Sequence, residues 1–395
     1  RPLARPLPWP GLLVDLGEGK RMSQEAHGLG GLKYDPARRS RAPEWNVFLA
    51  LVIMVVVFEG LNRLQGGSFL FNMRDNVDAI FNQQRLDIMI LQVAIIGIIA
   101  LGVTQVIIIG GIDLSSGSVV GATAMIVMSF AQTAMVNGNP NPKAIFGDWA
   151  MDLPVIVPIV VGLACGLAAG VVNGLLVAYT RIPPFIATLG VMVSARGAAR
   201  WWSNGQPVSF PTESYGNLAN GDLLGTLTFG LLSWEGQNPA VVFVILAVLF
   251  HLIMTYTLYG KRSYAIGSNE AAARMSGINV DRHKVLVYTI AGMLAAVAAV
   301  LLTSKNLTAQ AGMGVMYELD AIAAVVIGGT SLSGGIGRVT GTVIGVLIGA
   351  KRASGTLVHK IAVHPDHRRQ GHGRHLLASL GSKLAILGPP RIIAE

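Results

Sequence analysis

The chain has 395 residues, 52% of them apolar and 13% charged, with a net charge of +9 and a mean hydropathy of +0.55. Soluble domains carry about 25% charged residues, so the bulk of this chain is not a soluble globular protein. Lys/Arg against Asp/Glu number 8 to 5 in residues 1–46, 14 to 14 in 47–350 and 8 to 2 in 351–395, a neutral apolar middle with basic ends, which points to a membrane domain and excludes nucleic acid as the partner of the basic charge.

Residues 1–45 are rich in Pro, Gly and Arg without an apolar period, which predicts an irregular cytoplasmic leader. Met22 is a candidate start, and no basic stretch runs at once into an apolar segment and a small-residue cleavage site, so a signal peptide is not expected. From residue 46 onward, apolar stretches recur that match a hydrocarbon layer of about 30 Å. Seven are clear, at 46–62, 88–111, 117–136, 153–179, 183–200, 240–258 and 285–304; two more, 319–332 and 336–350, are shorter and Gly-rich. Short Gly-rich pieces suit re-entrant or broken helices held inside protein. The expected fold class is all-α: a polytopic transmembrane helical bundle with discontinuous helices.

Within 153–179, Gly162, Gly166, Gly170 and Gly174 recur every fourth residue and place a smooth stripe on one helix face, a helix–helix seam. Cys165 is the single cysteine, which excludes a disulfide scaffold and a multi-cysteine metal site. The loop from Gly260 to Lys284 holds six basic or histidine residues, whereas 203–238 holds Glu213, Asp222 and Glu235 and no Lys or Arg. The first is expected on the cytoplasmic side and the second outside.

Asp113, in GGIDLSSGS, lies between two apolar helices, where its carboxylate and the Ser115 hydroxyl either cap the next helix or contact substrate or an ion. Asn173 and Thr188 either face a central pathway or bridge helices. Pro183 and Pro184 set the start of a helix after a sharp turn. Glu318 and Asp320 precede a short helix whose N-terminal dipole favours negative charge. The glycines that follow lack a GxxxxGK pattern, so any ATP-driven activity requires another chain. Between two spans, Glu270–Met275 predicts a short amphipathic helix, capped by Asn269 or Ser268 and ended by Gly277.

The motifs GGIDLSSGS (110–118), PPFIATLG (183–190), AIGSNEAAARMSGINV (265–280) and ELDAIAAVVIGGTSLSGGIG (318–337) occur in this order. In these the chain resembles the permeases of ATP-binding cassette importers for monosaccharides, the ribose, xylose and methyl-galactoside group. The resemblance implies a sugar permease domain over 46–350, working by alternating access in a bacterial cytoplasmic (inner) membrane without covalent chemistry of its own. It implies as partners a cytoplasmic ATPase subunit or fused ATPase pair, a second permease copy, an extracytoplasmic sugar-binding protein and the monosaccharide. It implies no cofactor on this chain, ATP and magnesium being used by the ATPase. It also places Gly267, Asn269, Glu270, Ala271, Ala272, Arg274 and Gly277 in the loop that touches the ATPase. An ion-coupled secondary transporter using Asp113, Glu318 or Asp320 is the alternative.

After Gly349 the sequence departs from that family, so the final spans are expected to be missing, and a nonfunctional truncated or chimeric permease is a further alternative. In 351–395, a strand at 357–363 followed by HPDHRRQGHGRHLL resembles the coenzyme-binding motif of the GCN5-related N-acetyltransferases, a non-family α/β fragment. Arg368, Arg369, Gln370, Gly371 and Gly373 would form its coenzyme-A loop, offering N–H groups and charge to a pyrophosphate. At about 45 residues such a fragment lacks a sufficient core, so a vestigial loop rather than an active enzyme is expected.

Overall fold

The computed structural model describes residues 83–228 and 236–349, with scattered positions between 49 and 60. The leader, most of the first expected span and the 351–395 fragment with its Arg368–Gly373 loop lie outside the described residues. Twelve α-helices occur among the described elements. The long ones are α1 (Gln83–Ile108), α3 (Ile156–Tyr179), α4 (Pro184–Trp202), α7 (Asn238–Tyr256) and α10 (Val280–Asn306). Shorter ones are α2 (Ser116–Ala131), α5 (Glu213–Asn220), α6 (Leu223–Leu227), α8 (Leu258–Ser268), α9 (Glu270–Met275), α11 (Tyr317–Ile327) and α12 (Val339–Gly349).

Four of these helices, α1 from Asp87, α3, α7 and α10, are long and apolar enough to cross a membrane. Their burial differs: 78% of the apolar window of α1 and 67% of that of α10 are inside protein, against 28% for α3 and for α7. An apolar helix buried all round belongs at the centre of a bundle, and one apolar but half bare belongs at its lipid edge. Accordingly α1 contributes Ile95, Ile98, Ile99, Leu101 and Ile107 to the core, while Val244 and Val248 on α7 are more than half exposed.

Two expected spans take a different form. The stretch 117–136 ends as helix at Ala131, where Gln132 turns extended (φ −66°, ψ 145°); beyond it Asn137 and Gly138, both at positive φ (51° and 79°), turn a two-residue hairpin pairing β1 (Met135–Val136) with β2 (Asn139–Pro140). The resulting 16-residue α2 is buried along most of its length. The stretch 183–200 forms the 19-residue α4 from Pro184, as the paired prolines dictate, but carries Arg196 and Arg200. The short helices α11 and α12 replace the two Gly-rich stretches, as expected for discontinuous segments. The strands are two-residue pieces inside the bundle sequence; the second pair joins β3 (Val208–Ser209) to β4 (Thr308–Ala309).

Two ends of the bundle follow from these contacts. At the acidic end, the Gln237 amide donates to Asp87 at 2.9 Å, and α5 docks on the end of α10 through Tyr215 and Ser304. At the basic end, the N–H of Gly335 donates to the Ile108 carbonyl at 2.8 Å, the Tyr259 hydroxyl donates to Gln105 at 2.6 Å, and Ser263 and His283 meet at 2.8 Å. These bonds fix α8 against α1 and α10, and so set the position of α9.

The glycine stripe of α3 is a seam with α10. A Cβ on Gly166 would meet the Gly292 carbonyl oxygen and Ala296, and one on Gly170 would lie 2.5 Å from the Tyr288 carbonyl oxygen. The two backbones therefore touch, which is what small residues at fourfold spacing permit.

Candidate functional site

The first group of polar residues gathers where the chain breaks between α1 and α2. The Asp113 side chain, 3% exposed, accepts from both the backbone N–H and the hydroxyl of Ser115, at 2.8 and 2.7 Å. The Asn173 amide donates to the same hydroxyl at 2.6 Å. Thr188 accepts from the N–H of Leu114 at 3.2 Å and donates to the Pro184 carbonyl at 2.9 Å. Asp113, Ser115, Asn173 and Thr188, scattered over the sequence, thus join α2, α3 and α4 at one place. The capping differs in detail from expectation: Ser115 occupies the N-cap position of α2 without a side-chain cap bond, because its hydroxyl is held between Asp113 and Asn173.

This geometry yields a test of a structural against a titrating Asp113. Asp113→Asn retains the acceptor oxygen and is expected to keep the thermal midpoint in detergent within a few degrees, with uptake preserved. Asp113→Leu strands two buried donors, at about 1–3 kcal/mol for each unsatisfied group, and is expected to lower the midpoint clearly. Loss of uptake in D113N with an unchanged midpoint would instead assign ion coupling to this carboxylate.

Glu318 and Asp320 stand apart from that group, in the first turn of α11. Glu318 is 8% exposed, and its Oε2 has no hydrogen-bond partner among the described residues. It abuts Gly117 in the first turn of α2, where a Cβ would collide with Oε2 and with the Gly314 carbonyl. Beside it lies a charge that the sequence reading missed. The Arg196 Nη1 donates to the carbonyls of Ala311 and Met313 at 2.9 and 2.7 Å. Those carbonyls lie in the non-helical segment before α11. The signal was a pair of arginines, Arg196 and Arg200, inside a mostly apolar span; the partners of Arg196, more than a hundred residues away, were not legible.

The third group is at the basic end. The Asn269 Oδ1 accepts from the N–H of Ala272 at 3.0 Å, capping α9 as expected. Gly277, at φ 82°, ends it with its N–H on the Arg274 carbonyl and that of Ile278 on the Ala273 carbonyl, at 3.0 and 3.1 Å, the pair of bonds that marks a Schellman stop. Ala271 and Ala272 are exposed on this helix, and Gly267 packs against the Ile108 carbonyl at the end of α1.

Charges strap α9 to the start of α10. Arg274 pairs with Glu270 at 3.0 Å and donates to Asp281 at 2.9 Å, and Lys284 pairs with Glu270 at 2.8 Å. Burial alone would raise the Glu270 carboxyl, but the hydrogen bonds from Lys284 and Arg274 outweigh it and hold its pKa below the ordinary carboxylate value. Hydrogen bonds to Asp281 and Glu270 push the Arg274 guanidinium up, so it stays charged. A cavity of about 620 Å³ opens beside this strap, lined by Glu270, Arg274 and Lys284 and by the Arg181–Pro184 turn. Met275, at the tip of α9, is 89% exposed. Sequence reading found Glu270 and Arg274 but not Asp281 and Lys284, whose part depends on the angle at which α10 leaves the turn. Among the described residues, no cluster of His, Cys, Asp and Glu could hold a metal ion.

Comparison with known proteins places this architecture. The family described as "Branched-chain amino acid transport system / permease component" matches residues 85–357. The ribose import permease protein of Bacillus subtilis is 41% identical over 303 residues, 76% of this chain and 81% of its own. The galactose/methyl galactoside import permease protein of Haemophilus influenzae is 36% identical over 254 residues, 64% of this chain and 72% of its own. The xylose transport system permease protein of Escherichia coli is 34% identical over 318 residues, covering 67% and 76%. No solved structure matches the chain. The Arg368–Gly373 motif lies beyond the matched region. With a match that begins in the first turn of α1 and runs past α12, the chain belongs to this family of transport permease components and is a multi-pass membrane protein, not an enzyme.

Proposed function

We propose that the chain is the permease subunit of an ATP-driven monosaccharide importer in the bacterial cytoplasmic (inner) membrane. Two copies would form the passage. A cytoplasmic ATPase subunit or fused ATPase pair, using ATP and magnesium, would drive it, and an extracytoplasmic sugar-binding protein would deliver the sugar. The ribose, galactose and xylose permeases among its relatives support the substrate class. The observation that carries the coupling part of the reading is α9, a helix of six residues strapped by ion pairs to the start of a membrane-crossing helix, with Met275 bare at its tip.

A push on α9 reaches α10 through Arg274–Asp281 and Lys284–Glu270, and α10 contacts α3 along the glycine seam. Gly267, Asn269 and Gly277 shape this lever, and Glu270, Ala271, Ala272 and Arg274 form its contact surface. The basic end is then the cytoplasmic one, in keeping with the excess of Lys and Arg there. The Arg368–Gly373 motif has no part in this cycle.

The test is uptake of labelled ribose, xylose and galactose into proteoliposomes that hold the chain with candidate ATPase and binding-protein subunits. ATP-dependent uptake that persists when proton and sodium gradients are dissipated is expected. Uptake that needs such a gradient and ignores ATP would support ion coupling and refute the proposal.

A further inference from the structure

Arg196 and Glu318 line one cavity on an unusual surface. Arg196 is six residues, about 9 Å of helix, from the end of α4, whose sequence reads as a span. Among the described residues only its Nη1 has carbonyl acceptors, which leaves the rest of a five-donor group turned elsewhere. A cavity of about 370 Å³ receives it, lined also by Ser118, Glu318 and Arg200. Arg200 also lines a second cavity of about 720 Å³, with Asn204 and Gln310, toward the acidic end. The rim is apolar and bare: Val193 is 63% and Val315 52% exposed.

A guanidinium and a carboxylate opening directly on lipid would be costly, and such groups in membrane segments face the bundle interior or a water-filled cavity. The bare rim of α4 therefore borders an aqueous passage. The cavity falls in the size range of small-molecule sites, which place a few polar groups in apolar walls. Its donors are guanidinium N–H groups, and Glu318, whose Oε2 is turned away against Gly117, adds a carboxylate and Ser118 a hydroxyl to its lining, a combination that suits the hydroxyls of a neutral polyol. Gly121 keeps the place clear: a Cβ there would lie 2.7 Å from both the Arg196 Nη1 and the Met313 carbonyl oxygen.

We propose that Arg196 and Glu318 form a hydroxyl-binding station for the sugar in transit, entered from the acidic end past Arg200. Because Arg196 also holds the carbonyls of the segment before α11, the station and that broken segment move together. This rests on the sugar-import reading, and the two fail differently: without ATP-dependent uptake by the wild-type complex, the import reading falls.

Given wild-type uptake, E318Q and R196K are expected to reduce sugar moved per ATP hydrolysed at least tenfold, since the ATPase still cycles while the sugar is poorly held. Uptake per ATP within twofold of wild type in both variants would overturn the proposal, as would parallel loss of uptake and hydrolysis at a constant ratio, which marks a structural role. Should either variant fail to fold, V315C in a C165S background decides: labelling by a charged, membrane-impermeant thiol reagent added outside is expected, and protection from it would overturn the aqueous passage.

Discussion

Glu270→Lys is expected to lower ATP-driven uptake more than tenfold while the protein still folds and inserts. The substitution places a third cation between Arg274 and Lys284, so both pairs at Glu270 become repulsions and α9 keeps only Arg274–Asp281 of its two ties to α10. Each exposed pair is worth only about 0.2–1 kcal/mol, and the bundle is held elsewhere by the buried faces of α1 and α10. The thermal midpoint should hardly move, whereas the link between α9 and α10 should loosen, with Lys284 repelled by the new cation and Arg274–Asp281 left to hold it alone. Glu270→Gln, which keeps a hydrogen-bonding oxygen, is expected to cost twofold to fivefold.

The same pairs set a pH dependence. The Glu270 pKa is depressed from 4.5 in the folded chain, so its contribution is complete above that value and is lost as pH falls through the lower, folded one. Coupled uptake should therefore be insensitive to this group between about pH 5 and 8. Side-by-side uptake and midpoint measurements on the two variants check the expectation; normal ATP-dependent uptake by E270K would refute the lever.

Local signals explain what the sequence made legible. The caps of α9 are short-range chemistry, an Asn that accepts the N–H three residues on and a Gly that takes positive φ, and both stand where the pattern put them. The α3 seam was legible because four glycines at fourfold spacing fix a face whatever the partner is. Asn137-Gly138 marks the end of the 117–136 stretch, but the helix stops earlier, at Ala131, and that stop was not legible because Ala134, Met135 and Val136 continue the apolar run past it. What could not be read were meetings between distant segments. Asn173 reaches Ser115, and Arg196 reaches the Ala311 and Met313 carbonyls, only because α2, α3 and α4 pack at particular rotations. Hydropathy cannot supply those rotations when apolar residues surround a helix on every side.

Gly166→Ala is expected to be far more damaging than Gly162→Ala in the same helix, and the atoms that each methyl would meet show why. The new Cβ would collide with the Gly292 carbonyl oxygen and sit 2.5 Å from the Ala296 Cβ. A carbonyl held in the α10 ladder and a methyl fixed to its backbone cannot rotate away, so relief requires the helices to separate. At Gly162 the nearest atoms are side-chain methyls of Val127 and Val300, which can give by rotation. At Gly190, on α4, nothing lies within 4 Å. Overpacking a well-filled interface costs about 1–3 kcal/mol and sometimes more, whereas Ala in an open helix position gains up to about 1 kcal/mol over Gly. Thermal midpoints in detergent should therefore fall furthest for G166A, less for G162A, and hold or rise for G190A. In the proposed cycle the seam carries motion from α10 to α3, so G166A should lose uptake even where it still inserts; equal midpoints for G166A and G190A would show that the two backbones do not touch.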